Sequence, residues 1–227
     1  MVFPLGDDDS RLQRFGAVTL VLIVISVIIW LVTLAQPNIE QFFQRWSVVP
    51  REYAEQTDLP PEIPLPFWFT LFSAMFMHGG WLHLIGNMLY LWIFGDNVEN
   101  DMGHGKFAIF YLLCGIVATF AQIFVDPQSE IPNLGASGAI SGVLAGYLVL
   151  FPRQRVRVLL FRFITSMPAF AVIGIWILFQ FINGIGQIAQ TEQTGGVAYA
   201  AHIGGFLAGL ALVWLFRSYG TRRRAVA

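Results

Sequence analysis

Long apolar runs separated by short polar segments dominate the sequence. Six of these runs meet or approach the roughly 20 largely apolar residues that a helix needs to cross a membrane. The runs are Phe15–Ala35, Trp81–Val98, Lys106–Val125, Ala136–Phe151, Pro168–Ile188 and Val197–Phe216. The pattern therefore predicts an all-α, polytopic membrane protein with six transmembrane helices.

The first run is predicted to be a span and not a cleaved secretion signal. Arg11 and Arg14 precede it, as in a signal, but its apolar stretch is longer than the about 7–15 residues usual there. The connection that follows, residues 36–80, carries several prolines, which prevent one regular helix. It also carries aromatic residues such as Trp46 and Trp68, which favour the headgroup region. We expect a long loop that is partly sunk in the outer interface.

Composition agrees with burial in a membrane. Hydrophobic residues make up 56% of the chain and charged residues 12%, whereas ordinary soluble domains carry about 25% charged residues. The net charge of −1 gives no indication of nucleic-acid binding. The single cysteine, Cys114, excludes an internal disulfide framework. We expect it in the core because its neighbours are apolar.

Lysine and arginine residues are distributed unequally between the predicted loops. Cytoplasmic loops carry the excess of basic residues, and placing the N-terminus inside leaves only Arg45 and Arg51 outside. The chain is therefore predicted to have both termini inside. The arginines of residues 153–162 and Arg222–Arg224 are interpreted as anchors near anionic lipid. The basic residues on the inner side are Arg11, Arg14, Lys106, Arg153, Arg155, Arg157, Arg162, Arg217 and Arg222–Arg224.

Several polar residues lie near the outer ends of the predicted spans, where ionisable groups are costly and usually functional. His83 and Asn87 fall in the first turns of the second span, four residues apart and therefore on one face. Ser137 falls in the first turn of the fourth span, and His202 within the first two turns of the sixth. Because even-numbered spans begin at the outer face, these residues share one depth. His78 precedes the second span and could fold back over its end.

Small residues recur at every fourth position on two of these spans. The fourth carries glycines at positions 138, 142 and 146, and the sixth carries Ala201, Gly205 and Gly209. Such stripes let helix backbones approach closely. Close approach would bring Ser137 within hydrogen-bond reach of His202.

Each of these residues also has a simpler interpretation. A lone serine in a membrane helix usually bonds the carbonyl of residue i−4, and a lone histidine can serve packing alone. His78, His83 and His202 could instead bind a metal, but no carboxylate lies in the outer half of any predicted span. We therefore predict no metal and no cofactor. Gln180 and Asn183 of the fifth span are expected to make interhelical hydrogen bonds.

Three motifs together resemble those of the rhomboid protease family. The stretch from His78 to Asn87, HGGWLHLIGN, is similar to its HxxxxHxxxN pattern. Gly135–Gly138, GASG, is similar to its GxSG motif, and Ala201–Gly205, AHIGG, to its AHxxG motif. The order of the motifs, their placement and the six-helix count also fit. The resemblance extends from about residue 68 to residue 209.

The resemblance implies an intramembrane serine endopeptidase that uses a serine–histidine dyad. Ser137 would be the nucleophile and His202 its general base. His83, Asn87 and the Ser137 backbone N–H would form the oxyanion hole, and His78 would be structural. The implied partners are transmembrane protein substrates and the lipid bilayer, without nucleic acid or metal. The implied location is a cell (inner) membrane, with the active site open to the extracytoplasmic side.

The predicted organisation is one rhomboid-like bundle of six helices over residues 15–217. It includes the outer loop 36–80 and is flanked by a cytoplasmic segment, 1–14, and a basic cytoplasmic tail, 218–227. Two alternatives to a protease stay open. An inactive relative that escorts membrane clients would not need the serine–histidine pair, and a small transporter would be expected to show inverted repeats, which the sequence lacks.

Two positions depart from the family pattern. Many bacterial members carry an aromatic residue four positions after the nucleophile, where the catalytic histidine stacks, and this chain has Ser141 there. The His202 ring must then be held by other packing or by a hydrogen bond. Many members also carry a Trp-Arg pair in the outer loop, whereas Trp68 is followed here by Phe69.

Overall fold

The structure, a computed structural model, describes residues 2–8, 15–188 and 197–218. Its helices in chain order are α1 (Ala17–Leu34), α2 (Ile39–Trp46), α3 (Pro50–Glu55), α4 (Thr70–Ser73), α5 (Trp81–Met102), α6 (His104–Val125), α7 (Ser137–Leu150), α8 (Ala169–Ile188) and α9 (Tyr199–Phe216). Short 3-10 turns at Phe67–Phe69 and Ala74–Phe76 flank α4. Within the described ranges, the six long helices α1 and α5–α9 coincide with the six predicted apolar runs, and their ends differ by a few residues.

A small antiparallel sheet departs from the all-α prediction. Strands β1 (Val2–Gly6), β2 (Arg155–Leu160) and β3 (Phe163–Pro168) pair in the order β1-β2-β3. In β2, Val156 and Val158 are buried while the alternating Arg155 and Arg157 are exposed, which is the two-residue period of a half-buried strand. Interpreting these arginines only as membrane anchors overlooks that alternation. The chain is mostly helical. Of the basic residues predicted on the inner side, Arg11, Arg14 and Arg222–Arg224 lie outside the described residues.

Helix α7 lies at the centre of the bundle, in contact with α5, α6, α8 and α9. Glycines permit this packing: a Cβ on Gly205 of α9 would collide with the carbonyl oxygen of Gly138. A Cβ on Gly209 would collide in the same way with the carbonyl oxygen of Gly142. The predicted close approach of the fourth and sixth long helices is therefore confirmed. Cys114, which contacts Gly142, is fully buried, as predicted.

A buried carboxylate ties the start of α1 to the end of α5. Glu99 is 1% exposed and accepts hydrogen bonds from the backbone N–H groups of Val18 and Thr19, both at 2.8 Å. These N–H groups belong to the first turn of α1, where they have no partner within the helix. The positive end of the helix dipole also favours a carboxylate there. His104 Nδ1 lies 2.5 Å from Glu99 Oε1 and completes the link.

At one end of the bundle, the loop after α1 meets the loop before α7. Val48 and Asn133 exchange both backbone hydrogen bonds, with N–O distances of 3.1 and 2.7 Å. The Arg51 backbone N–H donates to the Ser129 carbonyl oxygen at 3.1 Å, and the Arg51 guanidinium pairs with Glu130. Residues 48–51 and 129–133 therefore share one end of the molecule.

At the opposite end, the first and last described segments meet the end of α5. The Asn97 side-chain amide donates to Asp7 at 2.9 Å, and the Ser218 backbone N–H donates to Asp101 at 3.2 Å. The strands β1 and β2 also pair at this end, close to Asp7. The start of the chain and the segment after α9 therefore share this second end.

Among the described residues, four helices are long and apolar enough to cross a membrane: α1, α6, α8 over Ala169–Gly186, and α9. Helix α7 is apolar but has 14 residues, which correspond to about 21 Å. Helix α5 has 22 residues but carries Asp96, Glu99 and Asp101 in its second half. The chain is a membrane protein with four candidate spans, and the count of six stays a prediction.

Candidate active site

Ser137 and His202 are in direct contact between α7 and α9. Ser137 Oγ and His202 Nε2 lie 2.7 Å apart. Ser137 is the first residue of α7, and His202 lies in the first turn of α9. His202 is 8% exposed, and Ser137 is half-buried. A serine hydroxyl that donates to a neutral imidazole is the arrangement that general-base activation of a serine requires.

The other edge of the His202 ring faces α8. His202 Nδ1 lies 2.8 Å from Gln180 Oε1, and the Trp176 ring centroid lies 5.9 Å from that of His202 at an interplanar angle of 37°. Ser141 contributes no ring, and its hydroxyl donates instead to the Ser137 carbonyl oxygen at 2.7 Å. Helix α8 thus supplies both the packing and the hydrogen bond that the sequence left unassigned.

His83 presents Nε2 to the loop before α7. The Gly79 backbone N–H donates to His83 Nδ1 at 3.3 Å, so the neutral ring carries its proton on Nε2. A Cβ on Gly135 would lie 2.7 Å from that nitrogen. Gly135 also has a φ of +124°, a conformation that favours glycine. The His83 N–H therefore faces the backbone two residues before Ser137.

Asn87 supplies a second side-chain donor on the same helix. It is 8% exposed, and its Nδ2 has no hydrogen-bond partner among the described residues. Nδ2 lies 3.8 Å from the position that a Cβ of Gly135 would take. A buried donor without a partner is unfavourable by about 1–3 kcal/mol. This amide is therefore free to donate to an oxygen atom that binds beside Gly135.

His78 packs behind His83. It is fully buried, and its ring meets the His83 ring edge-on with centroids 5.1 Å apart. Its Nδ1 lies 3.2 Å from the Phe76 carbonyl oxygen. These contacts hold the segment before α5 and support the orientation of His83.

A cleft with an empty volume of about 340 Å³, which includes the part open to solvent, adjoins Ser137. Its walls come from α6, α9 and the loop before α7 and consist mainly of small residues. They include Gly115, Ala118, Asn133, Gly135, Ala198 and Ala201. The cleft beside the Ser137 hydroxyl is therefore bounded mainly by short side chains.

The two polar residues predicted to bond between helices behave differently. Gln180 bonds from α8 to α9, so that prediction is confirmed, although its partner could not be named. The prediction for Asn183 is wrong, because its amide donates to the Phe179 carbonyl of its own helix at 2.8 Å. Asn183 is exposed. In the described part of the chain, no group of three His, Cys, Asp or Glu side chains is arranged to hold a metal.

Residues 66–219 match the family model described as the Rhomboid domain, which is more than half of the chain. The chain belongs to the rhomboid family. The matched region contains all the site residues described above. Rhomboid-family membership and the four long apolar helices together make this a multi-pass membrane protein.

Relatives that carry a rhomboid name come from several different organisms. The chain is 27% identical to Rhomboid protein 1, mitochondrial, of Saccharomyces cerevisiae, over 78% of this chain and 47% of that protein. It is 30% identical to Rhomboid-like protein 11, chloroplastic, of Arabidopsis thaliana, over 68% and 54%. It is 32% identical to Rhomboid protease GluP of Bacillus subtilis, over 64% and 26%. The matched region spans about half or less of the length of these relatives.

Proposed function

We propose that this rhomboid protein is an intramembrane serine endopeptidase that hydrolyses peptide bonds in or next to the transmembrane segments of membrane proteins. The observation that carries the proposal is the 2.7 Å contact between Ser137 Oγ and His202 Nε2. Two side-chain donors, His83 and Asn87, lie beside Gly135, which lines the cleft next to Ser137. Sequence similarity to a relative named Rhomboid protease GluP supports the proposal independently of this contact.

The first half of the proposed reaction forms an ester on Ser137. Ser137 Oγ attacks the carbonyl carbon of the scissile bond while His202 Nε2 takes the hydroxyl proton. The C–N bond then breaks, and His202 returns this proton to the leaving amine nitrogen. The N-terminal fragment stays attached to Ser137 as an ester.

The second half releases that fragment. His202 Nε2 takes a proton from a water molecule as the water oxygen attacks the ester carbon. The bond to Ser137 Oγ breaks, His202 gives the proton back to Ser137, and the fragment leaves as a carboxylic acid. The half-buried position of Ser137 supports access of water to this step.

The oxyanion that forms in both halves needs hydrogen-bond donors. Asn87 Nδ2 and His83 Nε2 are suited to this role because both are polar N–H groups beside the loop that precedes Ser137. The backbone N–H groups at the start of α7 add donors, since the first turn of a helix leaves them without an internal partner. Neutral donors stabilise the developing negative charge without placing a fixed charge in the membrane.

We propose that α5 and α7 also cross the membrane, which gives six spans with both termini inside. The contact between Val48 and Asn133 supports this count. The loops after α1 and before α7 share one end of the molecule, so an even number of crossings separates them; α5 and α6 supply two. Placement of the site toward the extracytoplasmic side of a cell membrane follows from the excess of basic residues on the other side.

The substrate class follows from the environment of the site. A regular transmembrane helix keeps its carbonyl groups in its own hydrogen bonds, so a substrate must unwind before Ser137 can attack. Glycine, proline or polar residues near the outer end of the substrate helix favour unwinding. The cleft lined by small residues supports a short side chain next to the scissile bond.

The test uses purified protein in detergent with a single-span reporter that carries Ala and Pro near its outer end. Wild type should cleave the reporter, and Ser137→Ala and His202→Ala should not. A serine-reactive fluorophosphonate probe should label wild type and leave Ser137→Ala unlabelled. Equal cleavage by wild type and Ser137→Ala would remove Ser137 as nucleophile. Binding of the reporter without cleavage or probe labelling would favour a rhomboid relative that escorts membrane clients.

A further inference from the structure

The His202 ring has two neutral forms, and only one of them can act on Ser137. Neutral imidazole carries its proton on either Nδ1 or Nε2, and the other nitrogen accepts. To take the Ser137 proton, His202 must have the proton on Nδ1 and a free lone pair on Nε2. A partner at Nδ1 that can only accept a hydrogen bond would enforce this form.

The side chain of Gln180 provides such an acceptor, and a long hydrogen bond within its own helix favours the orientation that presents it. The Gln180 Nε2 lies 3.5 Å from the Trp176 carbonyl oxygen. A carbonyl oxygen cannot donate, so the NH₂ end of the amide belongs there and Oε1 faces His202. Because Oε1 only accepts, the nitrogen 2.8 Å away, His202 Nδ1, must carry the proton. The Nε2 lone pair is then left for the Ser137 hydroxyl.

The reverse orientation of the amide would disable the pair. Oε1 would then face the Trp176 carbonyl oxygen, and the NH₂ group would donate to His202 Nδ1. The ring proton would move to Nε2, where it would point at Ser137 Oγ instead of accepting from it. The hydrogen bond from Gln180 to the Trp176 carbonyl therefore influences which nitrogen of His202 carries the proton and which one is basic.

Trp176 restrains the same ring from the same helix. Trp176 and Gln180 are four residues apart in α8 and so lie on one face. The Trp176 ring lies 5.9 Å from the His202 ring, within the range in which an indole stabilises a nearby cation. It can therefore favour the imidazolium that forms when His202 takes a proton. Residue 141 on α7 provides neither contact.

We propose that Gln180 is a positioning residue for the hydrolysis proposed above. Its uncharged acceptor fixes the tautomer of His202 that can accept the Ser137 proton. Among the described residues, the hydrogen-bond partners of the His202 ring are Ser137 and Gln180. An amide fits this place in a membrane because burying it needs no counter-charge, whereas a carboxylate would. The inference rests on the proposed function and extends the catalytic unit to α8.

The principal test replaces Gln180 by leucine. Gln180→Leu removes the acceptor and puts an apolar side chain of roughly similar size in its place. The value of kcat should fall about tenfold with little change in KM, which is the upper range for one neutral hydrogen bond. Asn183→Leu is the matched control, because it makes the same kind of change in the same helix at a residue that bonds only its own helix. Its kcat should stay at the wild-type value.

A second variant separates positioning from packing. Gln180→Glu keeps an acceptor and adds a negative charge, which favours the protonated ring. Because His202 must be neutral to act as a base, the acidic limb of the kcat profile should move to higher pH. Activity at the alkaline plateau should exceed that of Gln180→Leu. The added charge would move the limb under either role, so the plateau decides: a role in helix packing alone would leave Gln180→Glu no more active there than Gln180→Leu.

A measurement without substrate tests the tautomer itself. The ¹⁵N chemical shifts of His202 distinguish protonated Nδ1 from protonated Nε2, and the chain has 4 histidines to assign. Wild type should show the proton on Nδ1, and Gln180→Leu should show a mixture or the other form. The same Nδ1 proton in both proteins, with wild-type kcat for Gln180→Leu, overturns the inference. If Ser137→Ala is inactive in that case, the proposed protease stands without it.

Discussion

At the residue scale, the site is built from neutral polar side chains that the membrane environment tolerates. Ser137, His202, Gln180, His83 and Asn87 can each be uncharged at neutral pH, so none needs a buried counter-ion. The proposed role of each residue depends on whether a particular polar atom is hydrogen-bonded or left without a partner. Asn87 is the clearest case, since its buried Nδ2 has no partner among the described residues.

Asn87 is predicted to act on the transition state and not on substrate binding. Asn87→Ala should lower kcat about 10²- to 10³-fold with KM nearly unchanged, because the loss of one oxyanion donor has this size. Steady-state cleavage of the reporter measures it. Asn183→Ala removes the same side chain outside the site and should leave kcat unaffected. Wild-type kcat for Asn87→Ala would exclude this amide from the oxyanion hole.

Glu52 in the outer loop is predicted to make stability depend on pH. It is 3% exposed, and burial raises its pKa from 4.5 to about 7, with a further contribution from the charge of Asp58. The folded protein thus holds this proton more tightly than the unfolded chain, so stability should fall as pH rises from about 4.5 through 7. Melting temperatures in detergent between pH 5 and 8 should decline for wild type. Glu52→Gln should remove that part of the decline; an unchanged pH dependence would contradict the assignment.

At the scale of helices, glycine determines where Ser137 and His202 meet. Helices α7 and α9 contact each other backbone to backbone at Gly138 and Gly205 and again at Gly142 and Gly209. Ser137 directly precedes Gly138 in α7, and His202 lies one turn before Gly205 in α9. In lipid, helix association depends on such packing since there is no hydrophobic effect between spans. The site therefore depends on residues that have no side chain.

A side chain at Gly205 is predicted to separate α7 from α9. Gly205→Leu should destabilise the protein by at least about 3 kcal/mol, the upper range for overpacking, because the new Cβ meets the backbone oxygen of Gly138. Gly174→Leu in α8 adds the same volume where a new Cβ would meet no other element within 4 Å, and it should be tolerated. Thermal unfolding in detergent compares the two variants. Equal melting temperatures would contradict the close packing of α7 and α9.

At the scale of the whole molecule, loop contacts constrain how the chain is threaded through the membrane. Residues 48–51 contact residues 129–133 at one end, and the beginning and end of the described chain meet α5 at the other. A four-span arrangement without α5 and α7 would put the first pair of loops on opposite sides of the membrane. The contacts between them favour six spans.

Sidedness is predicted to follow this arrangement. Single cysteines at Ala54 and Gln128 should react together with a membrane-impermeant maleimide from outside intact cells, and one at Phe161 should react only after the membrane is opened. All three positions are exposed, and wild type is the unlabelled control because Cys114 is fully buried. Reaction of the Gln128 and Phe161 cysteines from the same side would contradict crossing by α7.

The sequence alone determined the six long helices, the buried cysteine and the close approach of two glycine stripes. Each of these follows from local pattern: the length of an apolar run, or the four-residue recurrence of small residues. The sequence also predicted the contact between Ser137 and His202, from polar residues at one depth in apolar spans and from the motifs that resemble the rhomboid family. The β-hairpin was missed, although arginine and valine alternate from Arg155 to Val158.

Only the tertiary structure decided which polar groups meet. That Gln180 faces His202 while Asn183 bonds its own helix depends on the rotation of α8 about its axis. That Glu99 receives the first turn of α1, and that β1 pairs with β2, depend on contacts between segments far apart in the chain. Such contacts arise from how whole helices pack. The sequence pattern shows which residues share a face of a helix, but it does not show which neighbouring element that face contacts.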